Sequence, residues 1–130
     1  MNKNNSLYIY RLKQSEETFK EVEKMVEEKF SSRTIINRAY YAMFYMLLAL
    51  FLKNNVKVDT SKHTGIISIF DQVFIKTGKI DKKYSKILHA VFNERQTGDY
   101  KELADIPFEK AIEYVNKTKE FLKEIKKNIK

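Results

Sequence analysis

An uncharged run at positions 39–52, AYYAMFYMLLALFL, constrains the fold more than any other feature of this sequence. Its residues favour a helix, and a helix that is apolar on nearly every side must be covered by neighbouring elements or by a second subunit. The run is shorter than the roughly 20 apolar residues that cross a bilayer, and it begins beside Arg38. We therefore predict a central helix in the core of a homodimer, with no membrane span.

The length and the composition predict one intracellular domain. A chain of 130 residues fits one domain whose core needs no metal or disulfide, so we expect residues 1–130 to form a single unit. The absence of cysteine excludes thiol catalysis, Cys-based zinc sites and a disulfide framework. The first residues lead into a charged segment and not into the apolar stretch of a signal peptide, so we predict a cytoplasmic protein.

Apolar residues that recur every three or four positions predict about five helices. The predicted segments run from Leu7 to Phe30, from Ser32 to Asn54, from Thr60 to Gly78, from Asp81 to just before Gly98, and from Asp105 onward. Their ends carry suitable residues, with Ser31 or Ser32 as an N-cap, Gly78 as a left-handed C-terminal residue and Pro107 in a first turn. Because the connections are short, we predict an all-α, up-and-down antiparallel bundle.

The net charge of +8 is unevenly distributed along the chain. Residues 14–28 are acidic, whereas residues 76–86 and the end of the last segment are rich in lysine. Lysine patches attract nucleic acid, but they are also the ordinary solvated surface of a helix, and the sequence leaves both interpretations open. The arginines are few, and two of them, Arg38 and Arg95, fall on apolar stripes.

Arg95 lies in line with the core-facing residues of the fourth segment. At about 100° per residue, it shares one arc with Tyr84, Leu88, Val91 and Phe92. An unpartnered guanidinium is costly to bury, so Arg95 either reaches solvent or an acid at the helix end, or it lines a cleft. In a cleft, its fork of donors would hold a phosphate or a carboxylate.

The residues just after Arg95 favour the cleft. We predict that Gly98 breaks the helix and lets Asp99 and Tyr100 turn back towards Arg95. Asp99 would then orient Arg95 or accept a hydrogen bond from a substrate hydroxyl, and Tyr100 would stack on a base or bind a phosphate. The alternatives are an ordinary turn residue at Asp99 and a core anchor at Tyr100.

Two further positions are candidates for the same site. Arg38 shares a stripe with Tyr41 in the second segment, so it either binds a phosphate or forms an interhelical ion pair. His63 opens the third segment, where it either makes a helix-terminal hydrogen bond or acts as a general acid or base. Neither His63 nor His89 has other ligands at metal-binding spacing, so we expect no metal and no cofactor.

Four motifs occur in a fixed order: RAYYAMF at 38–44, KHTGI at 62–66, FIKTGKI at 74–80 and RQTGDY at 95–100. This pattern resembles the HEPN domain family, and most closely its small stand-alone bacterial and archaeal members. The resemblance covers nearly the whole chain and is most specific between residues 33 and 100. It implies a helical bundle that dimerises with a cleft between the subunits, often in a toxin–antitoxin pair with a minimal nucleotidyltransferase.

The resemblance also implies an activity, from which this chain departs at one position. Active HEPN domains are metal-independent ribonucleases whose signature is an Arg followed a few residues later by a His, and in some pairs the nucleotidyltransferase adenylylates a nearby tyrosine. Arg95 matches the signature Arg, but Tyr100 stands at the position of the His, and no His occurs later in the chain. A tyrosine with a pKa of about 10 is a poor base at neutral pH. His63 would replace it only if the fold brings His63 to Arg95.

The leading prediction is a dimeric nucleotide- or RNA-binding HEPN-type protein that partners a minimal nucleotidyltransferase. The residues predicted to hold the phosphate and the base are Arg38, Tyr41, Arg95, Asp99 and Tyr100. One alternative is a ribonuclease toxin in which Arg95 stabilises the phosphorane and Tyr100 or His63 transfers protons. The other is a non-catalytic helical interaction module whose arginines are satisfied within the dimer.

Overall fold

Five α-helices are present in the computed structural model, which describes residues 3–100 and 106–129, with side chains from 6 to 96 and from 106 to 129. The helices are α1 (Lys3–Glu27), α2 (Ser32–Lys53), α3 (His63–Phe70), α4 (Lys82–Tyr100) and α5 (Phe108–Lys127). A π-helical turn, Asp71–Ile75, continues α3 without a break. Within the described ranges there is no β-strand, and the predicted all-α bundle of about five helices is confirmed.

The central helix is α2, which packs against α1, α4 and α5. Most of its apolar run is buried as predicted, and Ala39, Met43 and Leu47 have no exposed surface. Ser15 of α1 donates a hydrogen bond of 2.6 Å to the carbonyl of Ala42, which ties these two helices together inside the core. By length and composition alone α2 could cross a membrane, but most of its apolar window is buried within the molecule, which accounts for its composition.

The junction between α1 and α2 turns earlier than the sequence indicates. The periodicity predicts a helix to Phe30, but α1 ends before that residue, and Phe30 is 42% exposed. The cause is Lys29, whose backbone takes a left-handed φ of 56°, while the N–H of Phe30 bonds to the carbonyl of Met25. Ser31 then caps α2 as predicted, because its hydroxyl accepts a hydrogen bond from the N–H of Thr34.

The third predicted segment is divided between α3, the π-helical turn and a loop. The turn is wider than an α-helical one, because the N–H of Lys76 bonds to the carbonyl of Asp71. Gly78 has the predicted left-handed backbone, with a φ of 79°, but it lies beyond the last helical residue. At the other end, the hydroxyl of Thr60 accepts a hydrogen bond from the N–H of Lys62 immediately before α3.

The fourth helix is longer than predicted. It begins after Asp81, whose carboxylate accepts a hydrogen bond of 2.8 Å from the N–H of Lys83. The prediction that Gly98 breaks this helix is wrong, because the helix continues to Tyr100. A glycine inside a helix costs only about 1 kcal/mol relative to alanine. The packing of a buried helix face offsets a cost of that size.

The last helix differs slightly from the prediction at its start. Pro107 precedes α5 as its N-cap residue and is not in its first turn. The predicted cap at Asp105 lies outside the described residues. α5 buries Ala111, Phe121 and Ile125 and packs against α2 and α4. The resulting bundle places the start of α3 and the late part of α4 beside the first half of α2.

Candidate functional site

Arg95 lies across the faces of two tyrosines of α2. Its Cζ atom is 5.2 Å from the ring centre of Tyr40 and 5.4 Å from that of Tyr41. Its Nη2 atom donates a long hydrogen bond of 3.5 Å to the Tyr41 hydroxyl. Cation–π attraction of about 0.5–2 kcal/mol per contact holds such a guanidinium in a fixed orientation. Arg95 therefore follows the apolar stripe of α4, as predicted, and its guanidinium contacts aromatic rings of α2.

His63, the first residue of α3, belongs to the same cluster. Its Nδ1 atom lies 2.7 Å from the hydroxyl oxygen of Tyr40. Its ring stacks on Phe44, with ring centres 4.2 Å apart and planes inclined by 13°. Since Arg95 and His63 both contact Tyr40, the fold brings His63 to Arg95, which is the condition for His63 to take the place of the missing signature histidine. We call Tyr40, Tyr41, Phe44, His63 and Arg95 the Arg95 cluster.

A close contact between Thr60 and Gly65 sets the start of α3. A Cβ atom at Gly65 would lie 2.6 Å from the Cγ2 atom of Thr60, which is closer than real Cβ contacts. The segment before α3 therefore folds back over a position where glycine leaves room. Because His63 lies between these two residues in the chain, the contact also fixes where the imidazole enters the cluster.

Burial and the charge of Arg95 set the protonation states in the cluster. Burial lowers the pKa of His63 below its ordinary value of 6.5, and the positive charge of Arg95 lowers it further. Burial raises the pKa of Tyr40 well above its ordinary value of 10, although Arg95 acts in the opposite direction. At neutral pH the imidazole of His63 and the phenol of Tyr40 are thus neutral, and the guanidinium of Arg95 is a permanent cation. A neutral imidazole can accept a proton from a group that the cation helps to bind.

Arg38 lies in a different environment. Its Nη2 atom is 3.0 Å from the Oε1 atom of Glu21, so it forms the interhelical ion pair between α2 and α1 that the sequence left as an alternative. With Tyr45 it lines a surface pocket of about 430 Å³. Tyr45 connects this pocket to the Arg95 cluster, because its ring centre is 6.1 Å from that of Tyr41.

The predicted site residues are therefore only partly assembled in the described structure. Arg95, Tyr41 and His63 come together, whereas Arg38 is paired with α1. The side chains of Asp99 and Tyr100 lie outside the described residues, although their backbone belongs to α4. Among the side chains that are described, no three His, Asp or Glu residues are grouped as metal ligands.

Two members of the cluster, Tyr40 and Phe44, were absent from the predicted site. The sequence places both in the uncharged run, and Tyr40 is indeed fully buried. A signal was present, because residues four apart share a helix face and RAYYAMF puts two aromatic rings at that spacing. Tyr40 belongs to the core and to the site at once, which hydrophobic patterning alone does not reveal.

Comparison with known proteins identifies related sequences over nearly the whole chain. The model of the HEPN domain matches residues 8–129. A UPF0332 protein of Thermotoga maritima is 39% identical over 94 residues, which are 72% of this chain and 70% of the relative. The Methanocaldococcus jannaschii protein named "Putative toxin MJ0142" is 33% identical over 139 aligned residues, which cover 95% of this chain and 92% of the relative.

Proposed function

Because the chain belongs to the HEPN domain family, we propose that it binds RNA or a nucleotide through Arg95. The observation that carries this proposal is the convergence of Arg95 from α4 and His63 from α3 on Tyr40 of α2. A buried tyrosine that orients both a guanidinium and an imidazole is more than a packed core requires. We propose that Asp99 and Tyr100, one turn further along α4, add contacts to the same ligand.

The chemistry of the cluster suits a phosphodiester. A guanidinium offers parallel N–H donors that match two phosphate oxygens, and its position on two aromatic rings fixes the direction of those donors. The half-buried rings of Tyr41 and Phe44 are surfaces on which a base can stack. The net charge of +8 adds long-range attraction for a polyanion.

We also propose that the protein is the toxin-type partner of a minimal nucleotidyltransferase and acts in the cytoplasm. Two relatives from Methanocaldococcus jannaschii carry the word toxin in their names, which supports a toxin-related role. In such a pair the nucleotidyltransferase would cover the proposed RNA-binding face and compete with RNA for it. Co-expression with a minimal nucleotidyltransferase should therefore protect the Arg95 cluster from a nucleotide probe.

A homodimer is part of the same proposal. Leu7 and Val58 are 40% and 37% exposed, and both line one surface pocket with Leu48 and Leu52 of α2. An exposed apolar patch next to an apolar core helix is typical of a protein interface. We propose that this patch is where a second copy of the chain binds.

A second candidate function is metal-independent RNA cleavage, and the position of His63 favours it. In this reaction His63 takes the proton of the 2′-hydroxyl, and the 2′-oxygen attacks the adjacent phosphorus. The 5′-oxygen leaves with a proton from Tyr100 or water, which gives a 2′,3′-cyclic phosphate and a 5′-hydroxyl. Arg95 would stabilise the charge that develops on the phosphorane.

Binding and cleavage can be tested together with a labelled single-stranded RNA in EDTA. We expect Arg95→Ala to weaken binding at least tenfold, and Arg95→Lys to lose most of that affinity because a lysine lacks the planar fork. Arg33→Ala is the matched control, since it removes one positive charge from an exposed position near the start of α2. Unchanged binding by Arg95→Ala would refute the proposed phosphate site. Intact RNA at high protein concentration would refute the cleavage function and leave the binding function standing.

A further inference from the structure

A second polar group lies between the π-helical turn and α4. The carboxylate of Asp71 accepts two hydrogen bonds, one of 2.6 Å from the hydroxyl of Ser85 and one of 2.7 Å from Nε2 of His89. Since an ionised carboxylate only accepts, the proton of this second bond belongs to His89. Asp71 thereby fixes the orientation of the imidazole ring and leaves its Nδ1 edge directed away from the carboxylate.

His89 and Asp71 line a surface pocket of about 380 Å³. Its other polar groups are the hydroxyls of Thr64 and Ser68, the amides of Gln72 and Asn93 and the ammonium of Lys76, and the ring of Phe92 supplies an aromatic wall. Pockets of this size, mostly apolar but with a few hydrogen-bonding groups, accommodate small planar ligands. We call this site the Asp71 pocket.

The Asp71 pocket adjoins the Arg95 cluster. Thr64 comes directly after His63 in α3, and the ring of Phe92 lies 5.3 Å from that of Tyr40. The helical chain from His63 to Asp71 is about 12 Å long at 1.5 Å per residue. Because α4 runs antiparallel to it, with His89 near Asp71 and Arg95 near His63, the two sites lie side by side along α3 and α4.

We propose that the Asp71 pocket binds the base of a nucleotide whose neighbouring phosphate is held by Arg95, so that a short single-stranded RNA spans the two sites. This inference rests on the proposed function. The fixed imidazole of His89 and the amide of Gln72 recognise the edge of the base by hydrogen bonds, as in other single-strand readers. The carboxylate of Asp71 repels an anion, so the base, and not a phosphate, is the part of the nucleotide that the pocket accepts. Lys76 contacts the next phosphate along the strand.

The test is fluorescence anisotropy with labelled tetraribonucleotides of A, of C and of U, and with labelled ribose 5-phosphate as a probe without a base. We expect the wild-type protein to prefer one base. His89→Ala and Gln72→Ala should each weaken that preferred RNA about fivefold, as expected for one lost hydrogen bond, and reduce the preference. Neither change should affect ribose 5-phosphate, whereas Arg95→Ala should weaken every probe. Asp71→Asn should act like His89→Ala if Asp71 positions His89.

Asn116→Ala is the control for Gln72→Ala, because it removes an exposed side-chain amide on α5, outside both sites. Equal losses for these two variants, or an unaltered base preference in His89→Ala, would overturn the role of the Asp71 pocket. If Arg95→Ala still weakens all probes in that case, the proposed function survives without this inference. If the wild-type protein binds none of the RNAs, both fail. Melting temperatures of the variants identify any loss that comes from unfolding.

Discussion

The hydroxyl of Tyr40 lies 2.7 Å from Nδ1 of His63, and this hydrogen bond joins the central helix α2 to the first residue of α3. The ring of the same tyrosine carries the guanidinium of Arg95. A fully buried side chain therefore holds the two groups of the proposed site in a fixed relation. Changes at Tyr40 should affect stability and ligand binding together, and changes in its partners should affect them separately.

Tyr40→Phe should remove the hydrogen bond and keep the ring. We expect a loss of about 1 kcal/mol in the free energy of unfolding, because a half-buried imidazole nitrogen is left without this bond. RNA binding should weaken modestly, since the aromatic face under Arg95 remains. Urea unfolding measures the first effect. Tyr10→Phe, at a tyrosine that is 58% exposed, is the control and should leave stability unchanged.

The stability of the protein should fall as the pH drops below about 6.5. The pKa of His63 is lower in the folded state than in the unfolded chain. As the pH falls, His63 is protonated in the unfolded state before it is protonated in the folded state. Acid therefore favours unfolding until the pH reaches the pKa of His63 in the folded state. Unfolding measured from pH 5 to pH 8 should show this slope in the wild type and less of it in His63→Gln. An NMR titration midpoint for His63 at or above 6.5 would contradict the explanation.

The same titration tests whether Arg95 acts on His63. Burial is the larger cause of the lowered pKa, and the charge of Arg95 is the smaller one. Arg95→Gln should therefore move the midpoint of His63 upward but not fully to 6.5, the ordinary value of histidine. Arg33→Gln, outside the cluster, should not move it. A midpoint that is identical in Arg95→Gln and the wild type would mean that the two groups are not electrostatically coupled.

Gly65→Ala should destabilise the protein although alanine is the better helix former. The new Cβ atom would lie 2.6 Å from Cγ2 of Thr60, and we expect a cost of about 1–3 kcal/mol for that overlap. The cost should largely disappear in a Thr60→Ala background, where the closest remaining atom is the Cβ atom at 3.3 Å. A double-mutant cycle measures this coupling. Additive effects of the two substitutions would show that the contact does not position α3.

Val58→Glu should weaken self-association and leave the fold intact. Val58 is exposed in the single chain, so a charge there costs little until a second copy covers it. Sedimentation at tens of micromolar should show a dimer for the wild type and a shift towards monomer for the variant. Lys24→Gln, which changes the net charge by the same amount at an exposed position outside the patch, controls for altered net charge. A wild type that sediments as a monomer would refute the dimer.

Local patterns predicted much of the fold and part of the site. The uncharged run predicted the central helix, and the arc through Leu88 and Val91 placed Arg95 towards the interior. Both depend on the 3.6-residue period, which involves only neighbouring positions. The cap at Ser31 and the left-handed Gly78 are local in the same sense.

Contacts across elements were beyond the reach of those patterns. The meeting of Tyr40 and His63 depends on an irregular segment between α2 and α3, whose path is set by contacts such as that of Thr60 with Gly65. A helical wheel also put Arg38 on an apolar arc without showing that Glu21 of α1 would pair with it. Which side chains pair between two helices depends on how the helices are rotated relative to each other, and the pattern within one helix does not contain that information.

The π-helical turn makes the site depend on chain length as well as on residue type. One residue more than an α-helix needs is accommodated where the N–H of Lys76 reaches back to Asp71. A deletion of one residue between 71 and 75 would allow a regular helix, and it would rotate α3 by about 100° relative to the loop that leads into α4. His63 and Asp71 would then turn away from α2 and α4 although neither of these two residues is substituted. Among relatives, gaps at this turn should therefore mark a change of function more reliably than substitutions do.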